Sequence, residues 1–489
     1  MRLTNETDVP MKDLIVSVRS HVARGFGIAC IYIKEGSDDF KKTMETILVS
    51  HEEAVRLTSV LKKNTYKTLS KEFPAAGIYE REMFEMSRAA PFGNADMRPL
   101  KLRSIREGSY PLQKSEPVPA DEHPTPIPRN EIKGEGLFEI PVGPIHAGVI
   151  GPGHFRFSVA GEPIIMLRAY LGYTYRGIEK MLETSADKDL SRIMERVSGD
   201  NGIAHSLAYL QAMEGDADIP ERARYIRTIY AELERIHHLL GGISGIIQDT
   251  ALSVPAAKGY MLKERMHRLN EKVTGHRLLW GSLCIGGVRI DINEHRAKMI
   301  DAELKLLRTG LDDLFNMALS SASFMDRAET TGVLSPEDAV RLRVVGPAAR
   351  GSGIDYDVRK NHPYEAYDRI EMKTATHVRG DVYARFRVKM NEISEAADII
   401  TQCLNKMENG PILIKVGMRD GFSMGMVESP RGELIHCVHV MNGKIWRYKI
   451  RDPSFPNWPA LETAALGNIV PDFPLINKSF DLSYSGNDL

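Results

Sequence analysis

Cysteine is scarce in this 489-residue chain, and its placement excludes more than its number does. The four residues, Cys30, Cys284, Cys403 and Cys437, include no closely spaced pair. The chain alone therefore cannot build a cysteine-rich zinc or iron–sulfur cradle, and this usage suits a reducing compartment. An excess of either charge is also missing: 64 Lys and Arg stand against 65 Asp and Glu, a formal net charge of -1. With no block of like charge, nothing points to nucleic acid or to a charged interaction tail. Nowhere does an apolar run approach the ~18 residues of a membrane-crossing helix, and the opening MRLTNETDVPMKD is polar. Membrane association is accordingly expected through other chains. The length allows roughly two to four domains at ~150 residues each.

Residues 1–112 carry the pattern of a small α/β unit. The stretch 13–25 mixes strand and helix signals, and GIACIYIKE at 27–35 is β-branched and predicts a strand. SHEEAVRLTSVLKK, 50–63, opens like a helix start rich in early glutamate. In FPAAGIYEREMFEMS, Glu80, Arg81, Glu82 and Glu85 fit a solvated helix face with turn-spaced ion pairs and fit a docking surface equally. The proline-dense stretch 114–130 reads as an extended linker, which divides the chain into 1–112, 113–135 and 136–489.

In the third part Phe155, Phe157 and Val159 alternate ahead of Gly161 and Glu162, a hairpin signal. The glycine- and proline-rich loop before it, 146–154, is bare enough to approach a ligand closely. Between about 187 and 327 the apolar spacing is helical, and Ile226, Ile229, Leu233, Ile236 and Leu240 align as one stripe of a bundle. The final stretch predicts a short helix over 459–466 and then an extended tail. The expected class is α+β: an N-terminal α/β module, then a mainly helical domain with a helix bundle and peripheral β-hairpins.

The chain is organised around RVSGDNGIAHSLAYLQAMEG, 196–215. Ser198 and Asn201 stand three apart at the mouth of a helix, and Ser483 and Gly486 repeat that spacing. Pairs so spaced can grip a metal when they are thiolates; hydroxyl, amide and bare backbone supply no soft ligand. If the fold brings the two segments together, they frame a pocket. His205 reads as a core histidine. His436 and His439, oddly spaced on a strand, point to opposite faces and do not share a metal. Arg350, Asp355, Asp357 and Arg359 lie beside Gly351 and Gly353 and can form Arg–carboxylate pairs.

The blocks GPIHAGVIGPGHFRF, GYTYRGIEK, RVSGDNGIAHSLAY, GSGIDYDVRKNHPYEAY, GDVYARF, ESPRGEL and IRDPSFPNWPAL span most of 143–489. Together they resemble the large subunit of membrane-bound energy-converting nickel–iron hydrogenases and the 49 kDa quinone-site subunit of respiratory complex I. The segments 73–87 and 93–100 resemble the 30 kDa subunit of complex I, and fusion of such a module is a habit of formate-hydrogenlyase-type hydrogenases. In the hydrogenases the two framing segments are CxxC pairs holding nickel and iron, so Ser198, Asn201, Ser483 and Gly486 argue against that centre here. The resemblance places His146 near a quinone headgroup and Arg350 and Asp355 beside the cavity. It also aligns Glu179 with a glutamate that binds magnesium in many hydrogenases.

These readings together imply a peripheral-arm subunit of a complex I-like oxidoreductase, coupling electron transfer to ion translocation. His146, Ser198, Asn201 and Tyr484 are its expected catalytic residues, and Ser483, Gly486, Arg350 and Asp355 its cofactor-binding ones. The chain itself is expected to hold no metal, with a quinone-like acceptor as ligand. The implied partners are a 20 kDa-like iron–sulfur subunit, a ferredoxin-like eight-iron subunit and antiporter-like integral membrane subunits, on the cytoplasmic side of the membrane. NAD binding is a label of the wider family only. Two further readings stand beside this one, a divergent hydrogenase (formate hydrogenlyase) large subunit and a non-catalytic coupling scaffold.

Overall fold

The computed structural model describes residues 4–37, 40–102, 110–114, 132, 134–146, 150–185 and 190–489. The linker expected at 114–130 lies, Lys114 apart, outside the described residues. Strands β1 (Asn5–Asp8), β2 (Gly27–Glu35), β3 (Lys42–Val49) and β4 (Ala54–Val60) form one sheet in the order β1-β4-β3-β2. Helix α1 (Leu14–Ala23) buries Leu14 and Val18. The helix expected near residue 50 is instead strand β4. Val55 and Leu57 are buried in alternation with half-buried Arg56 and Thr58, and that period of two outweighs the early glutamates. Ser50 Oγ accepts the N–H of Glu52 and of Glu53, so it closes a hairpin turn and caps no helix.

Helix α2 (Gly77–Ser87) likewise departs from a solvated face, because Glu80, Arg81 and Glu82 are all buried. Glu80 accepts the Leu69 N–H at 2.7 Å, and Arg81 Nε donates to the Arg98 carbonyl at 2.8 Å. Glu82 takes Lys101 at 2.7 Å and Lys449 at 2.6 Å, so this face docks against the chain's own distant strand.

Further along, β5 (Leu137–Val142), β6 (His154–Ala160) and β7 (Ile164–Tyr170) form an antiparallel sheet, with Phe155, Phe157 and Val159 buried as expected. The helical body comprises α3 (Gly202–Glu214), α4 (Glu221–Asp249), α5 (Ser253–Thr274), α6 (Glu294–Leu319) and α7 (Val382–Lys406). The stripe Ile226 to Leu240 is fully buried, yet α4 has no polar outer face, because its Arg227, Glu232, Glu234 and Arg235 are buried too. Three of these charges persist inside because they are paired: Arg227 donates to both oxygens of Glu214, and Glu232 takes Arg235 and Arg359. Glu234 instead accepts the N–H groups of Ile203 and Ala204 and is pushed up to about 8 by burial. Among the described residues no helix is long and apolar enough to cross a membrane.

The meander β8 (Gly421–Ser429), β9 (Gly432–Met441) and β10 (Lys444–Arg451) is not peripheral, for both of its faces are covered. Leu434, Val438, Tyr448 and Ile450 join the helical core. Met424, Met426, Ile435 and Cys437 join the core of the N-terminal sheet. At Gly425 the backbone of α3 comes so close that a Cβ would sit 1.9 Å from the Ala208 carbonyl oxygen, which requires glycine there. On the other face Arg447 and Arg451 donate to the Ile33 and Ala29 carbonyls, covering the free edge of β2. The final stretch is helical where a short helix and an extended tail were expected. Helix α8 (Ser454–Ala464) starts five residues early with Pro459 inside it, and α9 (Phe473–Phe480) and α10 (Tyr484–Asp488) follow. Phe473, Ile476 and Phe480 give α9 its buried side at helical spacing.

Candidate functional site

Ser198 and Asn201 sit in the turn that feeds α3. Asn201 occupies the N-cap position, and its N–H closes on the Ser198 carbonyl at 2.8 Å. Ser483 caps α10 by accepting the Gly486 N–H on Oγ at 2.9 Å. The two hydroxyls, Ser198 Oγ and Ser483 Oγ, lie 2.9 Å apart although 285 positions separate them in sequence. The two segments thus meet.

Arg431, from the tight turn between β8 and β9, occupies the space between them. Its guanidinium forks onto Asp200 at 3.0 and 2.8 Å, reaches Ser198 Oγ at 3.4 Å and also donates to Asn201 Oδ1 and the Asp481 carbonyl. Asn201 Nδ2 donates to His238 Nδ1 at 3.3 Å, and His238 Nε2 lies 3.1 Å from Asp481 Oδ2. Lys389 of α7 completes the ring at 3.4 Å from the same oxygen. Burial pushes the Lys389 ammonium down to about 8, with Asp481 acting against that shift. Burial acts to raise Asp481, yet Lys389 and His238 hold its carboxyl well below the ordinary range. Ser198 and Asn201 are buried, whereas the Asp200 side chain is 50% exposed and forms the rim.

At the fourth framing position a side chain has no room. A Cβ on Gly486 would begin 2.4 Å from Asp452 Oδ2 and 2.7 Å from its Cγ. Asp452 is fixed in turn by the Ser454 N–H at 2.7 Å and by His205 Nε2 at 3.2 Å. A nickel–iron centre does not fit these residues. It requires soft thiolates, and the donors here are two hydroxyls and a carboxamide around a fixed guanidinium, with a carboxylate where the fourth ligand would start. Gly486→Cys is therefore expected to destabilise the fold by about 1–3 kcal/mol through overpacking. Adding Asp452→Ala should recover part of that loss. Urea midpoints of the two single variants and the double variant test this, and additive effects would refute the steric coupling.

Tyr484 lies across the glycine loop. Cβ atoms on Gly151 and Gly153 would each fall 2.7 Å from its ring, and Trp458 packs edge-on at 5.1 Å. His146 Nε2 bonds the Gly153 carbonyl at 2.7 Å, and His154 Nδ1 bonds that of Gly143 at 3.0 Å. Residues 147–149 of this loop lie outside the described ones. Tyr484 and His146 therefore both pack on the segment that ends at Gly153.

Arg350 and Asp355 are not brought to this cluster. Arg350 is buried against Glu392 at 2.6 Å and Glu428 at 2.8 Å, while Asp355 is exposed and pairs with Lys360 at 3.6 Å. Arg359 forks onto Asp357, so the expected Arg–carboxylate pairing is present in this stretch. His436 and His439 do face opposite ways, the first toward His205 and the second toward Tyr32. Glu179 spends its oxygens on Arg447 at 2.9 Å, Lys449 at 3.1 Å and the Ile450 N–H at 3.0 Å. Ligand-type spacing marks only the thiol positions, so it misses Arg431, Asp200 and Asp452, although each lies within or beside one of the family blocks. The charged residues of ESPRGEL and IRDPSF were the available signal.

Comparison with known proteins bears on these positions. A family model described as the respiratory-chain NADH dehydrogenase 49 Kd subunit matches residues 249–420 and 415–488, and one for the 30 Kd subunit matches 11–122. Formate hydrogenlyase subunit 5 of Escherichia coli (strain K12) is 32% identical over 447 residues, covering 89% of this chain and 79% of that protein. Membrane-bound hydrogenase subunit alpha of Pyrococcus furiosus is 33% identical, over 73% of this chain and 88% of its own. An NADH-quinone oxidoreductase subunit of Phocaeicola vulgatus is 30% identical, over 93% of this chain and 91% of its own.

Proposed function

Because the chain belongs to the family that joins energy-converting hydrogenase large subunits with the 49 kDa subunit of NADH dehydrogenase, we propose that its centre serves an organic electron acceptor. It is an oxidoreductase subunit of the complex I-like peripheral-arm type. The observation that carries the proposal is the replacement of all four ligand-type positions by hydroxyl, amide and bare backbone, with Asp452 filling the space beside Gly486. Ser198, Ser483, Asn201 and Tyr484 hydrogen-bond the carbonyl oxygens of a quinone-like molecule, and His146 stands behind the glycine segment that the molecule passes. Electrons arrive from an iron–sulfur cluster of a 20 kDa-like partner. A ferredoxin-like subunit feeds that cluster, and antiporter-like subunits hold the assembly to the cytoplasmic side of the membrane. In this reading residues 1–112 and 136–489 are the two modules and 113–135 their connector.

The burial of Ser198 and Asn201 favours one rival, a coupling scaffold whose old centre is now structural. The test uses the assembled complex. Its clusters are reduced, short-chain ubiquinone is added, and their reoxidation is followed optically alongside elemental analysis and hydrogen uptake. Reoxidation by quinone that slows in Ser198→Ala and Ser483→Ala, without stoichiometric nickel, is expected. Nickel near one per chain would overturn the proposal, and unchanged rates in both variants would assign the scaffold role.

A further inference from the structure

Behind the serine pair runs a line of four buried titratable side chains that the acceptor chemistry has not used. Tyr448 Oη lies 2.8 Å from His436 Nδ1, His436 Nε2 lies 3.1 Å from His205 Nδ1, and His205 Nε2 lies 3.2 Å from Asp452 Oδ2. The line crosses from β10 and β9 into α3 and ends at the carboxylate that touches Gly486.

The inventory of donors and acceptors fixes its protons. An ionised Asp452 only accepts, so with both imidazoles neutral His205 carries its hydrogen on Nε2 and accepts on Nδ1. His436 must then donate from Nε2 and accept on Nδ1, leaving Tyr448 to donate its phenolic hydrogen. Every link agrees, both rings are neutral, and the four groups hold three mobile protons. A second arrangement is equally consistent. One proton entering at Tyr448 displaces the phenolic hydrogen onto His436 Nδ1, moves that ring's Nε2 hydrogen to His205 Nδ1, and moves the His205 Nε2 hydrogen to Asp452. The line then holds four protons, both tautomers are reversed, and neither imidazole is charged.

We propose that Tyr448, His436, His205 and Asp452 form a proton-delivery line whose exit, the Asp452 carboxyl, supplies one of the two protons taken up when the acceptor is reduced. This rests on the acceptor reading above: two electrons come from the partner's cluster, one proton comes through Asp452, and water is the ultimate source. Burial works to raise the Asp452 carboxyl, but the His205 hydrogen bond and the nearby Arg431 hold it below the ordinary range, and delivery of a proton neutralises it without burying a new ion. Burial disfavours the imidazolium form of His436, in keeping with transfer by tautomer exchange.

Two measurements test the line. The first needs no activity: in the full chain labelled with nitrogen-15 histidine, resting His205 and His436 are expected as Nε2–H tautomers. Their shared ring proton should exchange with water faster than the backbone amides around it. Exchange as slow as those amides, or Nδ1–H tautomers at rest, overturns the proposal even if quinone reduction is robust. The second uses the assembled complex, where His436→Phe is expected to slow acceptor reduction on the order of a hundred-fold and to change its solvent deuterium isotope effect. A parental rate and isotope effect in that variant also overturns it. If the parental complex reduces no quinone, the acceptor reading falls and the line is judged by proton exchange alone.

Discussion

Arg431→Met is expected to lower the free energy of unfolding by about 1.5–3 kcal/mol, the range for hydrogen bonds to a charged group, below that of a wholly buried pair because the Asp200 side chain is 50% exposed. The guanidinium touches Asp200, Asn201, Ser198 and the Asp481 carbonyl together, so its loss strands acceptors on separate segments of the chain. Arg431→Lys should recover only a minority of this, because an ammonium cannot fork onto both Asp200 oxygens while reaching Asn201. Denaturant unfolding followed by tryptophan fluorescence reads the effect, with Trp458 close to the centre through Tyr484. A loss below about 1 kcal/mol would mean that water replaces the guanidinium freely at the Asp200 rim, and the cluster would then not be a closed one.

The second large effect is expected at the junction between the N-terminal sheet and the meander. Lys449 is buried, contacts both oxygens of Glu82 and lies 3.1 Å from Glu179. Lys449→Met removes the charge and leaves two buried carboxylates short of a partner, a loss of about 3–5 kcal/mol. That loss should fall on the junction, so limited proteolysis and hydrogen exchange should show residues 5–60 opening before the helices. The double variant with Glu82→Gln should be less unstable than additivity predicts. Acid should act at the same place. Burial works to raise the Glu179 carboxyl, but Lys449, Arg447 and Lys101 bring it down to about 2. Its folded value is thus below the ~4.3 of an unfolded glutamate, so its contribution is complete above that pH and disappears as pH falls toward 2. At the alkaline end Lys449 is raised by Glu179 and Glu82 against the opposing effect of burial, so its contribution holds below ~10.4 and is lost only as pH rises through its higher folded value. Stability of the junction that did not change between pH 5 and pH 2 would refute this account.

Much of the architecture was legible where one period dominated. Strand β2, the β6–β7 hairpin and the long helices α4 to α6 follow directly from alternation or from apolar spacing at three and four. The misreadings came where local and distant signals conflicted. Early glutamates suggested a helix at 50–63, but the alternation of Val55 and Leu57 against the sheet prevailed. The charges of α2 fitted a solvated face and a docking surface equally, and the partner that decides between them, Lys449, arrives from a strand hundreds of residues away, which no local pattern reveals. For the centre, the spacing of Ser198 with Asn201 and of Ser483 with Gly486 was enough to bring the right segments together. Sequence spacing carried no information about Arg431 filling the gap or Asp452 replacing a ligand's first carbon, since both depend on how the meander is aimed. Arg350 and Asp355 were drawn in by the family resemblance, and in the fold their partners are Glu392, Glu428 and Lys360, none of them in the cluster.

The sandwiched meander also sets a timetable for biosynthesis. The ribosome delivers β2 and α2 long before β8 to β10 exist, so Tyr79, Cys30 and the uncovered rim of β2 must wait, unprotected, for most of translation. Such a delay favours chaperone holding of the nascent chain, and it makes final closure of the junction a late, long-range event. Making residues 136–489 first and then inducing residues 1–112 as a separate polypeptide removes that wait, and a higher yield of the paired halves than of the continuous chain would reveal how costly the wait is.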